Sequence, residues 1–120
     1  MLNILLIDDD IVEFRLIERM LKECYGGKFI LRYANTVEKA VTILKTQKTD
    51  IVLLDDKLDH GRTALDSVPV LKGVNDSVPL VLISSDINAE YLRSKTILNV
   101  YDIIDKFNLR ERIQDGLLKA

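Results

Sequence analysis

Ile51-Val52-Leu53-Leu54 is an unbroken apolar stretch that ends abruptly in Asp55-Asp56. A strand with one wet face alternates apolar and polar residues, so a continuous run of this length belongs to a strand covered on both faces. The same texture recurs from Ile4 to Ile7 and from Leu80 to Ile83. Phe29 to Ala34 and Val100 to Ile104 read as two further strands, the former polar enough for a sheet edge. Helix-period segments lie between the runs. Phe14, Ile17, Leu21 and Cys24 form one stripe, with Asp10 as N-cap, Glu13 completing a capping box and Gly26-Gly27 as the stop. Val37, Ala40, Val41 and Leu44 form a second stripe. Ala64, Leu65 and Val68 suggest a third helix that Pro69 breaks or kinks. Asn88 to Ile97 reads as a fourth, and Leu109, Ile113 and Leu117 line a last one, with Asn108 and Glu111 at its start.

Strands alternating with helices imply a parallel sheet with helices on both faces. The economical arrangement is a flavodoxin-like doubly wound α/β fold with five parallel strands in the order 2-1-3-4-5. A length of 120 residues suits one domain, read as 1–120, without linker or repeat. The net charge of −2, with both signs interspersed, offers neither a nucleic-acid stripe nor a polybasic membrane patch. No apolar run approaches a membrane span, the N-terminus lacks signal-peptide features, and the single cysteine fits a reducing cytosol. A cytoplasmic location is therefore expected.

Ligands of doubly wound sheets sit beyond the carboxyl ends of the strands, where the strand order reverses. In this chain those ends carry the chemistry. The first strand ends in Asp8-Asp9, the third in Asp55, the fourth in Ser84 and the fifth in Asp105-Lys106. Carboxylates crowded in one pocket are costly unless a cation binds or some stay protonated. Hard oxygen ligands suit Mg²⁺ (or Mn²⁺), which keeps waters and shares substrate phosphate. Carboxylate nucleophile, metal, lysine and hydroxyl together suit phosphoryl transfer.

These segments, in this order, resemble the receiver domain of bacterial two-component response regulators. The likeness rests on Ile4-Leu5-Leu6-Ile7-Asp8-Asp9-Asp10, Asp50 to Asp55, Pro79 to Ser84 and Tyr101 to Lys106, and it spans the chain. It implies a phosphoprotein switch, not a turnover enzyme, that catalyses its own phosphorylation and dephosphorylation. Asp55 would take a phosphoryl group from a sensor histidine kinase or phosphotransfer protein. Asp8, Asp9, Asp55 and the main-chain carbonyl of Lys57 would hold the metal. Lys106 would pair with Asp55 and then with the phosphoryl group, and Ser84 would swing toward it. The surface of the fourth helix, fifth strand and fifth helix would repack for an unidentified downstream protein, with homodimer formation open and no direct nucleic-acid or membrane binding. On this reading the receiver consumes the whole chain and leaves no output domain.

The pattern also departs from the family's. Phe107 follows Lys106 where proline is usual, Ile103 takes the place of a switch aromatic, and Tyr101 is a possible substitute. Lys57 and Asp86 flank the expected phosphoryl position, where Lys57 bridging to Asp86 or to the phosphoryl oxygens would obstruct the hydrolytic water and give a long-lived phosphoryl group. One alternative is a degenerate receiver acting as a phosphorylation-independent interaction module. A second is a phosphatase of the haloacid-dehalogenase type, which needs an acid two residues after its nucleophile; Lys57 stands there. Asp10 is expected as a cap, Asp56 as solvent-facing, His60 as a surface residue, Cys24 as core, and Asp105 as pointing away from Lys106.

Overall fold

The computed structural model describes residues 1–56, 58, 63–85 and 98–116. Its strands are β1 (Leu2–Ile7), β2 (Phe29–Ala34), β3 (Ile51–Asp55), β4 (Leu80–Ser84) and β5 (Asp102–Asp105). Helices α1 (Ile11–Tyr25), α2 (Val37–Thr46), α3 (Ala64–Val74) and α4 (Leu109–Gln114) intervene or follow, with a 3₁₀ turn at Lys106–Asn108 leading into α4. All pairings are parallel and the order is β2-β1-β3-β4-β5, as the apolar runs predict.

The unbroken runs have the expected cause, since two cores sandwich the sheet. On one face Leu5, Ile7, Val52, Leu54, Leu80 and Leu82 pack with residues of α2 and α3. On the other, Ile4, Leu6, Ile51, Leu53, Val81 and Ile83 pack with Ile17 and Leu21 of α1 and Leu109 and Ile113 of α4. Each central strand thus buries both sets of alternating side chains, the main stabilising contribution to such a fold. Among the described residues no helix is long and apolar enough to cross a membrane.

Several local expectations need correction. α3 runs through Pro69 without ending. The carbonyl that an N–H at 69 would have bonded belongs to Leu65, which is exposed, so water can satisfy it. The helix is also firmly started: Thr63 and Asp66 form a capping box. Asp10 does cap α1, accepting from Val12 N–H, but Glu13 does not complete a box there. The Asp10 N–H is already donated to Asp8 Oδ1 at 2.9 Å. Cys24 is exposed rather than in the core. The buried line on α1 advances from Ile17 to Leu21 to a half-buried Tyr25. Steps of four residues drift about 40° around a helix, and this carries Cys24 off the contact line. The fifth strand begins at Asp102, later than expected, although Tyr101 N–H still bonds Leu80 O at 2.8 Å.

Candidate functional site

The strand order reverses at β1, which lies between β2 and β3. Register then sets which residues emerge together. Ile7 stands opposite Leu54, so Asp8 leaves the sheet beside Asp55. Ser84 stands opposite Asp105, so Lys106 emerges just beyond the end of β4. Carboxylate oxygens of Asp8, Asp9 and Asp55 all lie within 4.8 Å of one another. Asp8 and Asp55 are buried and Asp9 is exposed, giving the cluster a closed floor and an open mouth. Ser84 is buried at the end of β4.

Lys106 supplies the positive charge, with its Nζ 3.6 Å from Asp55 Oδ1 and 3.5 Å from Glu13 Oε1. The sequence spacing of Glu13 suggests a helix cap, and nothing in the linear pattern points it at Lys106. The contact arises because α1 and the end of β5 lie on the same side of the sheet, where Ile17 and Ile104 share a core. Asp105 turns away as strand alternation requires, and its Oδ1 accepts the Phe107 N–H at 3.0 Å. Phe107 is 83% exposed and projects from the rim, with a trans peptide before it. Ile103 is half-buried against the α2/α3 core, while Tyr101 is exposed ahead of β5.

Asp56 is not solvent-facing. It is buried, and its Oδ1 accepts the Ala64 N–H at 3.0 Å, tying the end of β3 to the start of α3. The alternation that places Asp55 in the pocket turns Asp56 toward the α3 side. Lys57, His60 and Asp86, and with them the expected shielding by Lys57, lie outside the described residues, as does the helix expected from Asn88 to Ile97.

The electrostatics follow from burying like charges together. Burial pushes the Asp8 carboxyl up to about 7, against the Asp10 N–H and Lys106 that favour its charged form, while Asp55 and Glu13 push it further up. Asp55 is raised to about 6, again first by burial, with the Lys106 ammonium opposing and Asp9 reinforcing. Burial alone would lower Lys106, but the carboxylates of Asp55, Glu13 and Asp8 outweigh it and hold the ammonium above its usual range. Two partly protonated buried carboxyls beside an exposed third make a donor set that a hard divalent cation would complete by displacing protons. The residues therefore fit Mg²⁺.

Comparison with known proteins agrees with this geometry. Residues 4–117 match the response regulator receiver domain family. The transcriptional regulatory protein DcuR of Escherichia coli K12 is 29% identical over 119 residues, covering 98% of this chain and 49% of DcuR. The chain thus spans about half the length of the curated relatives it matches. Among solved structures, the receiver domain of sensor histidine kinase PA1611 from Pseudomonas aeruginosa, with magnesium in its active-site cleft, superposes with a TM-score of 0.81 at 19% identity, over 98% of this chain and 95% of that one. A CheY-like receiver domain protein from Methanospirillum hungatei gives a TM-score of 0.78 at 16% identity, over 98% and 94%. These two likenesses establish the fold. Because the family match takes in every strand end that builds the pocket, this chain belongs to the response regulator receiver domains.

Proposed function

We propose that Asp55 accepts a phosphoryl group from the phosphohistidine of a sensor kinase or phosphotransfer protein, and that this phosphorylation switches a binding surface. The observation that carries the reading is the convergence of Asp8, Asp9 and Asp55 oxygens within 4.8 Å, with Lys106 Nζ 3.6 Å from Asp55. Asp8, Asp9, Asp55 and the main-chain carbonyl of Lys57 would hold Mg²⁺ or Mn²⁺. When bound, the cation would neutralise charge on the phosphoryl oxygens, which an acidic pocket otherwise repels.

Asp55 acts as the nucleophile in this reading. Its oxygen attacks phosphorus as the bond from phosphorus to the donor imidazole nitrogen breaks; the imidazole leaves with the electron pair and is neutralised by a proton. Burial of Asp55 limits competing water and strengthens its interaction with Lys106. Lys106 transfers its ion pair from the carboxylate to a phosphoryl oxygen, and the Ser84 hydroxyl donates to another. The new group adds roughly −1.5 to −2 charges and strong acceptor oxygens. That local change would repack the surface expected of the fourth helix (Asn88 to Ile97, outside the described residues), the fifth strand and the last helix, for a downstream protein.

An acyl phosphate has a chemical signature. Borohydride reduction of the phosphorylated chain should convert Asp55 to homoserine, located by peptide mass. Homoserine at another aspartate, or none in phosphorylated protein, rejects Asp55 as acceptor.

A further inference from the structure

Lys106 serves two carboxylates at once, and only one of them belongs to the proposed phosphoryl chemistry. Its Nζ is 3.5 Å from Glu13 Oε1 and 3.6 Å from Asp55 Oδ1, so the ammonium sits almost evenly between them. Both partners are partly shielded: the Glu13 side chain is 22% exposed and that of Lys106 23%. Screening by water is therefore weaker than for a surface pair. Glu13 is free for this contact because Asp8 has taken the Asp10 N–H that a capping box would have offered it. Its carboxylate also adds to the negative field of the pocket, since it acts on Asp8 as well.

We infer that Glu13 is a positioning residue that holds Lys106 back from the phosphoryl group and makes phosphoryl uptake by Asp55 selective against highly anionic small donors. The inference rests on the proposed phosphorylation of Asp55. Two consequences of the same carboxylate support it. Lys106 must leave or loosen the Glu13 pair to meet a phosphoryl oxygen fully, and that competition slows uptake. A donor approaching through the mouth of the site meets one more negative charge, which lowers its encounter rate and makes that rate sensitive to salt. A protein donor can offset this repulsion with contacts of its own, whereas a small molecule cannot.

The test compares wild type with Glu13→Gln, which keeps the shape of the side chain and removes its charge. Intact mass follows phosphorylation by acetyl phosphate, a dianion, and by phosphoramidate, which carries less negative charge, at saturating Mg²⁺ and two ionic strengths. The expected result is a roughly three- to tenfold faster reaction of Glu13→Gln with acetyl phosphate at low salt, a smaller gain with phosphoramidate, and a narrower gap at high salt. A structural role alone would change both donors alike and leave the salt dependence unmoved. Wild type that phosphorylates on Asp55, with an unchanged or slower Glu13→Gln, overturns the inference and leaves the acceptor role of Asp55 standing. Absence of any adduct on folded wild type with either donor overturns both.

Discussion

Asp56 Oδ1 accepts the backbone N–H of Ala64 at 3.0 Å, from a side chain only 1% exposed. This bond anchors the first turn of α3 to the strand end that carries Asp55. Asp56→Ala removes a buried acceptor and strands the N–H, and the expected cost is about 2–3 kcal/mol. Asp56→Asn keeps an acceptor and should cost about 1 kcal/mol. Urea denaturation monitored by circular dichroism checks both values.

Stability should depend on pH in a direction opposite to that of a salt-bridged carboxylate. The folded chain holds protons on Asp8 up to about 7 and on Asp55 up to about 6, both above the ordinary 3.8. Between those limits the native state binds more protons than the unfolded chain, so stability is lost as pH rises. Without divalent cation the loss from pH 4.5 to 7.5 should reach about 3 kcal/mol, once solvent relaxation is allowed for. Thermal melts across that range measure it.

Mg²⁺ should recover part of the loss at neutral pH. At ten times its dissociation constant a bound ion adds about 1.4 kcal/mol, or roughly 5 °C in melting temperature. At pH 5, with both carboxyls protonated, the same addition should change the melt little, and chelation should abolish the effect at pH 7.5.

Lys106→Met keeps the length of the side chain and removes its charge. Asp55 then loses the ion pair that opposes its burial, and its carboxyl should rise above about 6, by roughly one further pH unit. Carbon-13 NMR of labelled aspartate reads this directly; an unchanged titration would mean that the pair contributes nothing.

Pro69 leaves the carbonyl of Leu65 without a helical partner inside α3. Pro69→Ala should restore that bond and stabilise the chain by about 1 kcal/mol, part of the gain being offset by a freer unfolded state. Hydrogen exchange should slow across α3 in the variant; unchanged exchange would mean that the missing bond costs the helix nothing.

Much of the fold was legible because the central strands are buried on both faces, and continuous runs such as Ile51 to Leu54 have no other comfortable home. The pocket was legible for a related reason: Asp55 and Ser84 end their strands, Asp8, Asp9 and Lys106 come just after theirs, and parallel register brings strand ends together. What escaped the sequence depends on distances between elements. Asp56 looks like any polar loop residue until the N-terminus of α3 is placed above it. Glu13 fits a local capping box until Asp8 is seen to hold the N–H it would have used. Cys24 shares a helical stripe with Leu21, but the packing line leaves that stripe before the last turn.

If the carboxylate cluster is a metal-assisted phosphoryl acceptor with Asp55 as nucleophile, intact-mass analysis after incubation with acetyl phosphate, with and without Mg²⁺, should show a single phosphoryl adduct that requires Mg²⁺. The adduct should vanish in Asp55→Asn. No adduct on folded wild type at saturating Mg²⁺, or an equal adduct on Asp55→Asn, would rule out this role for Asp55.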